Sequence, residues 1–225
     1  MCHTLLLTRP RPQSIDFLAA LTSGTGREPD HVISPLLHIC YTPVTIPEGV
    51  QAVLFTSANG VRAAGSGCGQ TALCVGQTTA NAAKAAGFDA TSANGDITDL
   101  AALAIQHLNP EAGSLIHIAG RHHAGDLGGI LSKAGFSCQR AIGYEARPVE
   151  LSAEARVTLV DIPVVVPVFS SRSGQLLAEA IDDIKPAELT CVAISESAAT
   201  PLRGRASVVA RPTRAAMIKA LRDLL

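Results

Sequence analysis

Short hydroxyl and amide side chains gather at turns that follow apolar runs in this chain. They stand at Thr8-Arg9, Thr56-Ser57-Ala58-Asn59, Gly76-Gln77-Thr78-Thr79, Ala119-Gly120-Arg121-His122-His123, Ser170-Ser171-Arg172-Ser173 and Ser195-Glu196-Ser197. Most of these turns open a helix-like segment. Free backbone N–H groups at a helix start, joined by a hydroxyl, can hold a carboxylate or a phosphate. Taken singly, each Ser or Thr is explained as well by a helix cap. Several such turns aimed at one cleft would instead hold an extended polyanion.

An internal repeat sets the elements that must aim them. Residues 52–88 and 164–208 each give an apolar run, a hydroxyl-rich turn, an amphipathic segment, a second apolar run and a small-residue turn. The repeat extends outward: Leu5–Pro10 and His31–Ile33 match Leu115–Gly120 and Phe136–Ile142. One half-unit therefore stands at the N-terminus and its later half at the C-terminus. The simplest arrangement is a discontinuous α/β domain of residues 1–38 plus 149–225 with a second α/β domain, residues 49–140, inserted. Residues 39–48 and 141–148 cross between them, and their Pro and Tyr content suits extended linkers. The expected ligand site is the cleft between the domains.

Apolar runs alternating with periodic segments indicate parallel strands covered by helices. Ser14 is expected to cap a helix that buries Ile15, Leu18, Ala19 and Leu21. Leu100, Leu103, Ala104 and Leu108 form a similar stripe, as do Leu176, Leu177, Ala180, Ile181 and Ile184 with Ser173 as the expected cap. A last helix starts near Pro212-Thr213 and buries Ile218, Leu221 and Leu225. Pro163 and Pro167 each remove a ladder donor, so that strand is expected to be short or irregular at its start. Ligands of such sheets collect beyond the carboxyl ends of the strands, where the hydroxyl turns fall.

Composition narrows the function classes. Hydrophobic residues make up 47% of the chain and aromatics 3%, so Ala, Val, Leu and Ile must fill the cores. With no Trp and two Tyr, platforms for base or sugar stacking are lacking. A net charge of −1 argues against a general nucleic-acid or membrane surface. Cys2, Cys40, Cys68, Cys74, Cys138 and Cys191 show no paired or metal-binding spacing, which suits reduced thiols in a cytoplasmic protein. No signal-peptide pattern or membrane-length apolar stretch is present. His122-His123 could be read as metal ligands, but adjacent His side chains diverge and no third ligand is evident, so no metal is expected.

The ordered motifs resemble the uroporphyrinogen-III synthase family over nearly the whole chain. They are Leu7-Thr8-Arg9-Pro10; Leu54-Phe55-Thr56-Ser57-Ala58-Asn59-Gly60-Val61-Arg62; Val75-Gly76-Gln77-Thr78-Thr79-Ala80 with Gly87-Phe88; Gly143-Tyr144-Glu145; Phe169–Gly174; and Ala193–Ala198. Each motif is weak alone, and their order and spacing make the set specific. The resemblance implies two flavodoxin-like domains, each a doubly wound parallel sheet, joined by a two-stranded β linker with the active site in the interdomain cleft. It implies a lyase of haem and tetrapyrrole biosynthesis with no cofactor. The substrate would be hydroxymethylbilane, a flexible linear tetrapyrrole rich in carboxylates. Dehydration, inversion of ring D and closure would give uroporphyrinogen III. The unassisted reaction closes without inversion, so holding the chain for the disfavoured attack is the main task.

The same resemblance assigns roles. Tyr144 matches the family's linker tyrosine and becomes the candidate general acid toward the departing hydroxyl, helpful rather than indispensable because a phenol is a weak donor at neutral pH. Tyr41, in the outgoing segment, carries less support for that role. Thr79 matches a family binding position and would act with Gly76 and Thr78; Thr56, Ser57 and Asn59 are similar candidates. Arg9, Arg11, Arg62, Arg121, Arg172, His122 and His123 are the basic residues near the turns, and the Arg fork suits carboxylates. Gly120, Ser171 and Ser197 complete the expected binding set. Two departures stand out. The second copy reads Ser195-Glu196-Ser197-Ala198-Ala199 where the family favours Gly-x-Thr-Thr-Ala, which puts carboxylate binding there in doubt. Ala119 replaces a basic residue, for which Arg121 and the two His are the expected compensation.

A non-catalytic two-domain binder or sensor of an anionic metabolite stays open, since this chemistry leaves no nucleophile motif to check. A nucleotide-dependent reductase is disfavoured because no phosphate loop or GxGxxG is present, and Gly125–Gly129 reads as a helix start. The expected state is a cytoplasmic monomer with a small-molecule substrate and neither nucleic acid nor membrane as partner. Hand-over of that substrate by the preceding pathway enzyme is an option the sequence leaves open.

Overall fold

Apolar runs of four to six residues become parallel strands here, and the periodic segments between them become the covering helices. The computed structural model describes residues 3–122 and 125–225, so the expectations placed on Cys2 and His123 lie outside the described residues. In chain order the elements are β1 (Thr4–Leu7), α1 (Arg11–Thr25), β2 (His31–Ile33), β3 (Leu37–Tyr41), β4 (Val50–Phe55), α2 (Ala58–Ala64), β5 (Thr71–Cys74), α3 (Gln77–Ala85), β6 (Asp89–Ser92) and α4 (Ile97–His107). There follow β7 (Ser114–Gly120), α5 (Leu127–Lys133), β8 (Cys138–Pro148), α6 (Ala153–Asp161), β9 (Pro163–Val168), α7 (Ser171–Ala180), β10 (Glu188–Ala193), α8 (Glu196–Ala199), β11 (Ala206–Val208) and α9 (Arg214–Arg222). The chain divides into two compact units, Met1–His38 with Arg147–Leu225, and Ile39–Ala146.

The discontinuous unit is built on a sheet of order β2-β1-β9-β10-β11, paired in parallel throughout. Both faces are covered, which is why its strands read as unbroken apolar runs. Leu6, Val164, Val166 and Val168 pack under Ala155, Leu159 and Leu177 from α6 and α7. Leu5, Leu7 and Val165 face Phe17, Leu21, Met217 and Leu221 from α1 and α9.

The continuous unit repeats the plan. Its order β8-β7-β4-β5-β6 places β7 and β8 where the other sheet has β1 and β2, and β4, β5 and β6 where it has β9, β10 and β11. Strand β3 is added outside β8. Val53, Phe55, Ile116 and Ile118 pack against Val61, Ala80 and Ala83 from α2 and α3. Leu54, Leu73 and Leu115 pack against Leu100, Ala104, Leu127 and Leu131 from α4 and α5.

Three local expectations are corrected. Strand β9 is neither short nor irregular: it starts at Pro163 and lies at the centre of its sheet. Its two prolines fall at positions of the same parity, so the lost donors face a single neighbour. Accordingly it pairs with β10 from Pro163 to Val168 but with β1 only at Val164 and Val165. Helix α1 begins at Arg11 rather than after Ser14, because Pro12 falls in the first turn, where its missing N–H costs nothing. Ser14 is buried and its hydroxyl donates to the Arg9 carbonyl at 2.8 Å, while Ile15 is 51% exposed. In α7 the cap is Ser170, and Ser173 is its reciprocal partner in a capping box.

Candidate functional site

In open parallel sheets ligands collect where neighbouring strands send their connections to opposite faces. In the Ile39–Ala146 unit that point lies between β4, followed by α2 on one face, and β7, followed by α5 on the other. Thr56 and Ser57 leave β4 here, and Gly120 and Arg121 leave β7. Thr56 Oγ1 lies 3.2 Å from Nε2 of His117, a residue only 3% exposed on β7. His117 escaped sequence reasoning. Its signal was a lone polar residue inside the apolar run Leu115–Ala119, on the face it shares with Leu115.

The Ser57 hydroxyl accepts the Asn59 backbone N–H at 3.1 Å and so caps α2. The Asn59 side chain meets Tyr41 from β3: the phenol donates to Asn59 Oδ1 at 2.8 Å and accepts from Arg62 Nη1 at 3.3 Å. Tyr41, Asn59 and Arg62 thus come together from two elements.

Beside them, the ring of Tyr144 on β8 occupies the space over Gly120. A β-carbon built there would lie 2.8 Å from Tyr144 Cε2 and 3.1 Å from its hydroxyl oxygen. The register slips between Ala119 and Gly120, so that Gly120 pairs with Tyr144. Arg121 donates its backbone N–H to the Tyr144 carbonyl at 2.9 Å, and its Nε lies 3.2 Å from Glu145 Oε1. Arg140, which sequence reasoning missed, donates from Nη2 to the carbonyls of Gly120 at 2.6 Å and Arg121 at 2.9 Å. A second guanidinium therefore reaches this turn from a neighbouring strand, where Ala119 left no basic side chain. His122 is exposed.

At the end of β5, Gly76 is the N-cap of α3 and supplies no side-chain cap, leaving the first-turn amides without one. Thr78 is exposed, whereas Thr79 is 7% exposed on the helix face that carries Ala80 and Ala83. The exposed hydroxyl of this pair is thus that of Thr78.

The discontinuous unit has its own switch point, between β1 and β9. Arg9 leaves β1 and lies over the ring of Phe169, 4.3 Å from its centroid, just beyond β9. Burial, then Arg214, holds the Arg9 pKa below its ordinary value, and Asp16 opposes that shift. Arg11 and Arg172 are exposed, as is Ser171 at the first position of α7. Ser197 Oγ lies 3.0 Å from Ser195 Oγ, and the Glu196 side chain between them in sequence is exposed. A surface cavity of about 620 Å³ lies elsewhere, between the C-terminal half of α7 and residues 200–205. Its mixed lining of Glu179, Asp182, Arg203 and Arg205 favours neither sign of charge. Among the described residues no three His, Cys, Asp or Glu side chains group as a metal site would require.

A family model described as Uroporphyrinogen-III synthase HemD matches residues 16–219. The chain belongs to the uroporphyrinogen-III synthase family. Members of this family are cyclising lyases of tetrapyrrole (haem) biosynthesis that act on a small molecule, and this chain is such an enzyme. Solved synthases share the fold. The Helicobacter pylori 26695 enzyme, 16% identical, aligns over 100% of both chains with a TM-score of 0.63. A variant of the uroporphyrinogen III synthase from the extreme thermophile Thermus thermophilus, also 16% identical, aligns over 99% of this chain and 98% of its own with a TM-score of 0.52. At that identity the likeness speaks for architecture alone. Among curated proteins none gives a significant match. No helix of this synthase family member, among the described residues, is long and apolar enough to cross a membrane.

Proposed function

We propose that the chain converts hydroxymethylbilane to uroporphyrinogen III as a cytoplasmic monomer, with Tyr144 as general acid. The observation that carries this reading is the seat of Tyr144. Its half-buried phenol lies against Gly120 at the switch point of the sheet, and the Arg140 guanidinium donates to the carbonyl of that same glycine.

Tyr144 gives its proton to the ring A hydroxyl, the C–O bond breaks with help from the pyrrole nitrogen lone pair, and water leaves. The electron-poor methylene is attacked by the substituted α-carbon of ring D, forming a spiro intermediate. The old bond from ring D to its bridge then breaks, and the free α-carbon of ring D closes the macrocycle in inverted sense. Loss of that carbon's proton restores the ring and reprotonates the phenolate, so the enzyme ends as it began. The donors at Gly76, Thr78 and Thr79, with Thr56, Ser57, Asn59, Arg62, Gly120, Arg121 and His122, would hold substrate carboxylates in this unit. Arg9, Ser171 and Ser197 would do so in the other. Orientation of a flexible chain is the larger contribution, since correct placement alone can supply several orders of magnitude.

The test is an isomer assay: fresh hydroxymethylbilane is incubated with the chain, oxidised, and the uroporphyrin isomers separated. Predominantly type III is expected. Type I alone, at the unassisted rate, would sink the catalytic reading and leave a binder of anionic tetrapyrroles.

A further inference from the structure

We infer that Tyr41 is a positioning residue that turns Asn59 and Arg62 into a carboxylate subsite on the Ile39–Ala146 unit. The inference rests on the proposed reaction for the identity of the anion, a substrate carboxylate, and on the geometry for everything else.

A guanidinium has donors and no acceptor, so the direction of each bond is fixed. Arg62 Nη1 must donate to the Tyr41 oxygen across 3.3 Å, and the phenolic proton must then go to Asn59 Oδ1 across 2.8 Å. That fixes the Asn59 amide with its carbonyl inward, so the group left to meet a ligand is its NH2. The rest of the Arg62 fork likewise offers only N–H groups. No carboxylate among the described residues pairs with Arg62, in contrast with Arg121 on Glu145, Arg156 on Asp183 and Arg214 on Asp16. The trio therefore carries one positive charge and presents donors alone, the complement of a carboxylate.

Location supports the same conclusion. Asn59 sits one turn beyond the end of β4, at the switch point where Tyr144 lies over Gly120. Thr42, next to Tyr41, donates its backbone N–H to the Gly143 carbonyl at 2.8 Å, which ties β3 to the strand that carries Tyr144. Tyr41 is 41% exposed, so its phenol contributes little to the core and much to the direction of its neighbours. Without it, Arg62 and Asn59 would have to be ordered by the ligand at an entropic cost.

The experiment compares wild type with Tyr41→Phe, Arg62→Ala and the double variant, reading KM, kcat, melting temperature and the calorimetric affinity for uroporphyrinogen III held anaerobically. Tyr41→Phe is expected to raise KM and the dissociation constant about fivefold, with kcat little changed, since the two orienting hydrogen bonds it removes are exposed and are partly replaced by water. Arg62→Ala is expected to raise both about tenfold or more. The double variant should lose less than the product of the two single effects, because the Arg62–Tyr41 bond is lost in both, while the Tyr41–Asn59 bond is lost only with Tyr41. Unchanged KM and affinity in Tyr41→Phe would overturn the inference. So would a fall in kcat that tracks a fall in melting temperature, since that marks a purely structural role. The affinity arm stands without turnover, so a chain that binds but yields no type III isomer would defeat the proposed reaction and still decide this subsite.

Discussion

The ring of Tyr144 fills the space that a side chain at Gly120 would need, with its Cε2 only 2.8 Å from where a β-carbon would stand. Gly120→Ala must therefore push the phenol aside or move the strand end. Displacement of about an ångström costs on the order of a hundredfold where orientation dominates. Gly120→Ala is thus expected to lower kcat more than Tyr144→Phe, which keeps the ring and loses only the proton. For Tyr144→Phe a loss of roughly tenfold is expected, less than a fully sequestered acid would give, because water reaches the half-buried site. Steady-state kinetics with isomer analysis of both variants checks the order.

Stability of α7 should depend on Ser170. Its hydroxyl accepts the Ser173 backbone N–H at 3.1 Å, and the Ser173 hydroxyl accepts the Ser170 N–H at 3.0 Å. Ser170→Ala is expected to destabilise the protein by about 1 kcal/mol, within the range for lost N-caps. The Ser170→Ala/Ser173→Ala pair should cost less than the sum, as the two bonds form one box. Urea unfolding of the three variants measures both.

Acid should weaken the start of α4. Asp96 accepts the backbone N–H of Thr98 at 2.7 Å and of Asp99 at 3.3 Å, and these bonds hold its carboxyl below the ordinary 3.8. A carboxyl with a depressed folded pKa adds stability above its unfolded pKa and loses it as pH falls through the folded one. The contribution is therefore complete near pH 6 and fades below about pH 4. Asp96→Asn should flatten that part of the profile, which melting temperatures between pH 3 and pH 6 would show.

Thiol labelling should sort the cysteines. Cys74 and Cys191 are buried, and burial pushes their thiols up to about 11 and about 12. Cys68 is exposed. At pH 8 a maleimide is expected to modify Cys68 in the folded protein and to reach Cys74 and Cys191 only on unfolding. Peptide mapping with and without urea reads the difference.

The repeat was legible because apolar runs closed by hydroxyl turns mark strand ends twice over, and the two sheets indeed share one strand order. The strand ends were legible too, since Thr56, Gly120 and Arg9 all stand where such runs stop, but which of them border a switch point depends on strand order and was not. Contacts that depend on register were not legible. Nothing in the spacing of Tyr41, Asn59 and Arg62 announces a shared hydrogen-bond chain, because it forms only once β3 lies beside β8. Arg140 was hidden for the same reason: its side chain reaches a carbonyl on the adjacent strand. Ser14 misled because a serine just ahead of an apolar stripe reads as a cap, whereas Pro12 in the first turn lets α1 start at Arg11.

The central place of β9 has a consequence during synthesis. Translation delivers β1 and β2 of that sheet first, and alone they make a two-stranded pair too small to stand in water. Leu5, Leu6 and Leu7 are completely buried in the finished unit, yet Val164 and Val165, which pair with Thr4 and Leu5, leave the ribosome only after all of Ile39–Ala146. The inserted unit is contiguous and can fold as it emerges. Helix α1 is made with β1 and can cover Leu5 and Leu7, but Leu6 faces residues of α6, α7 and β9 that are made last, so that face of the strand waits for Pro163 and beyond.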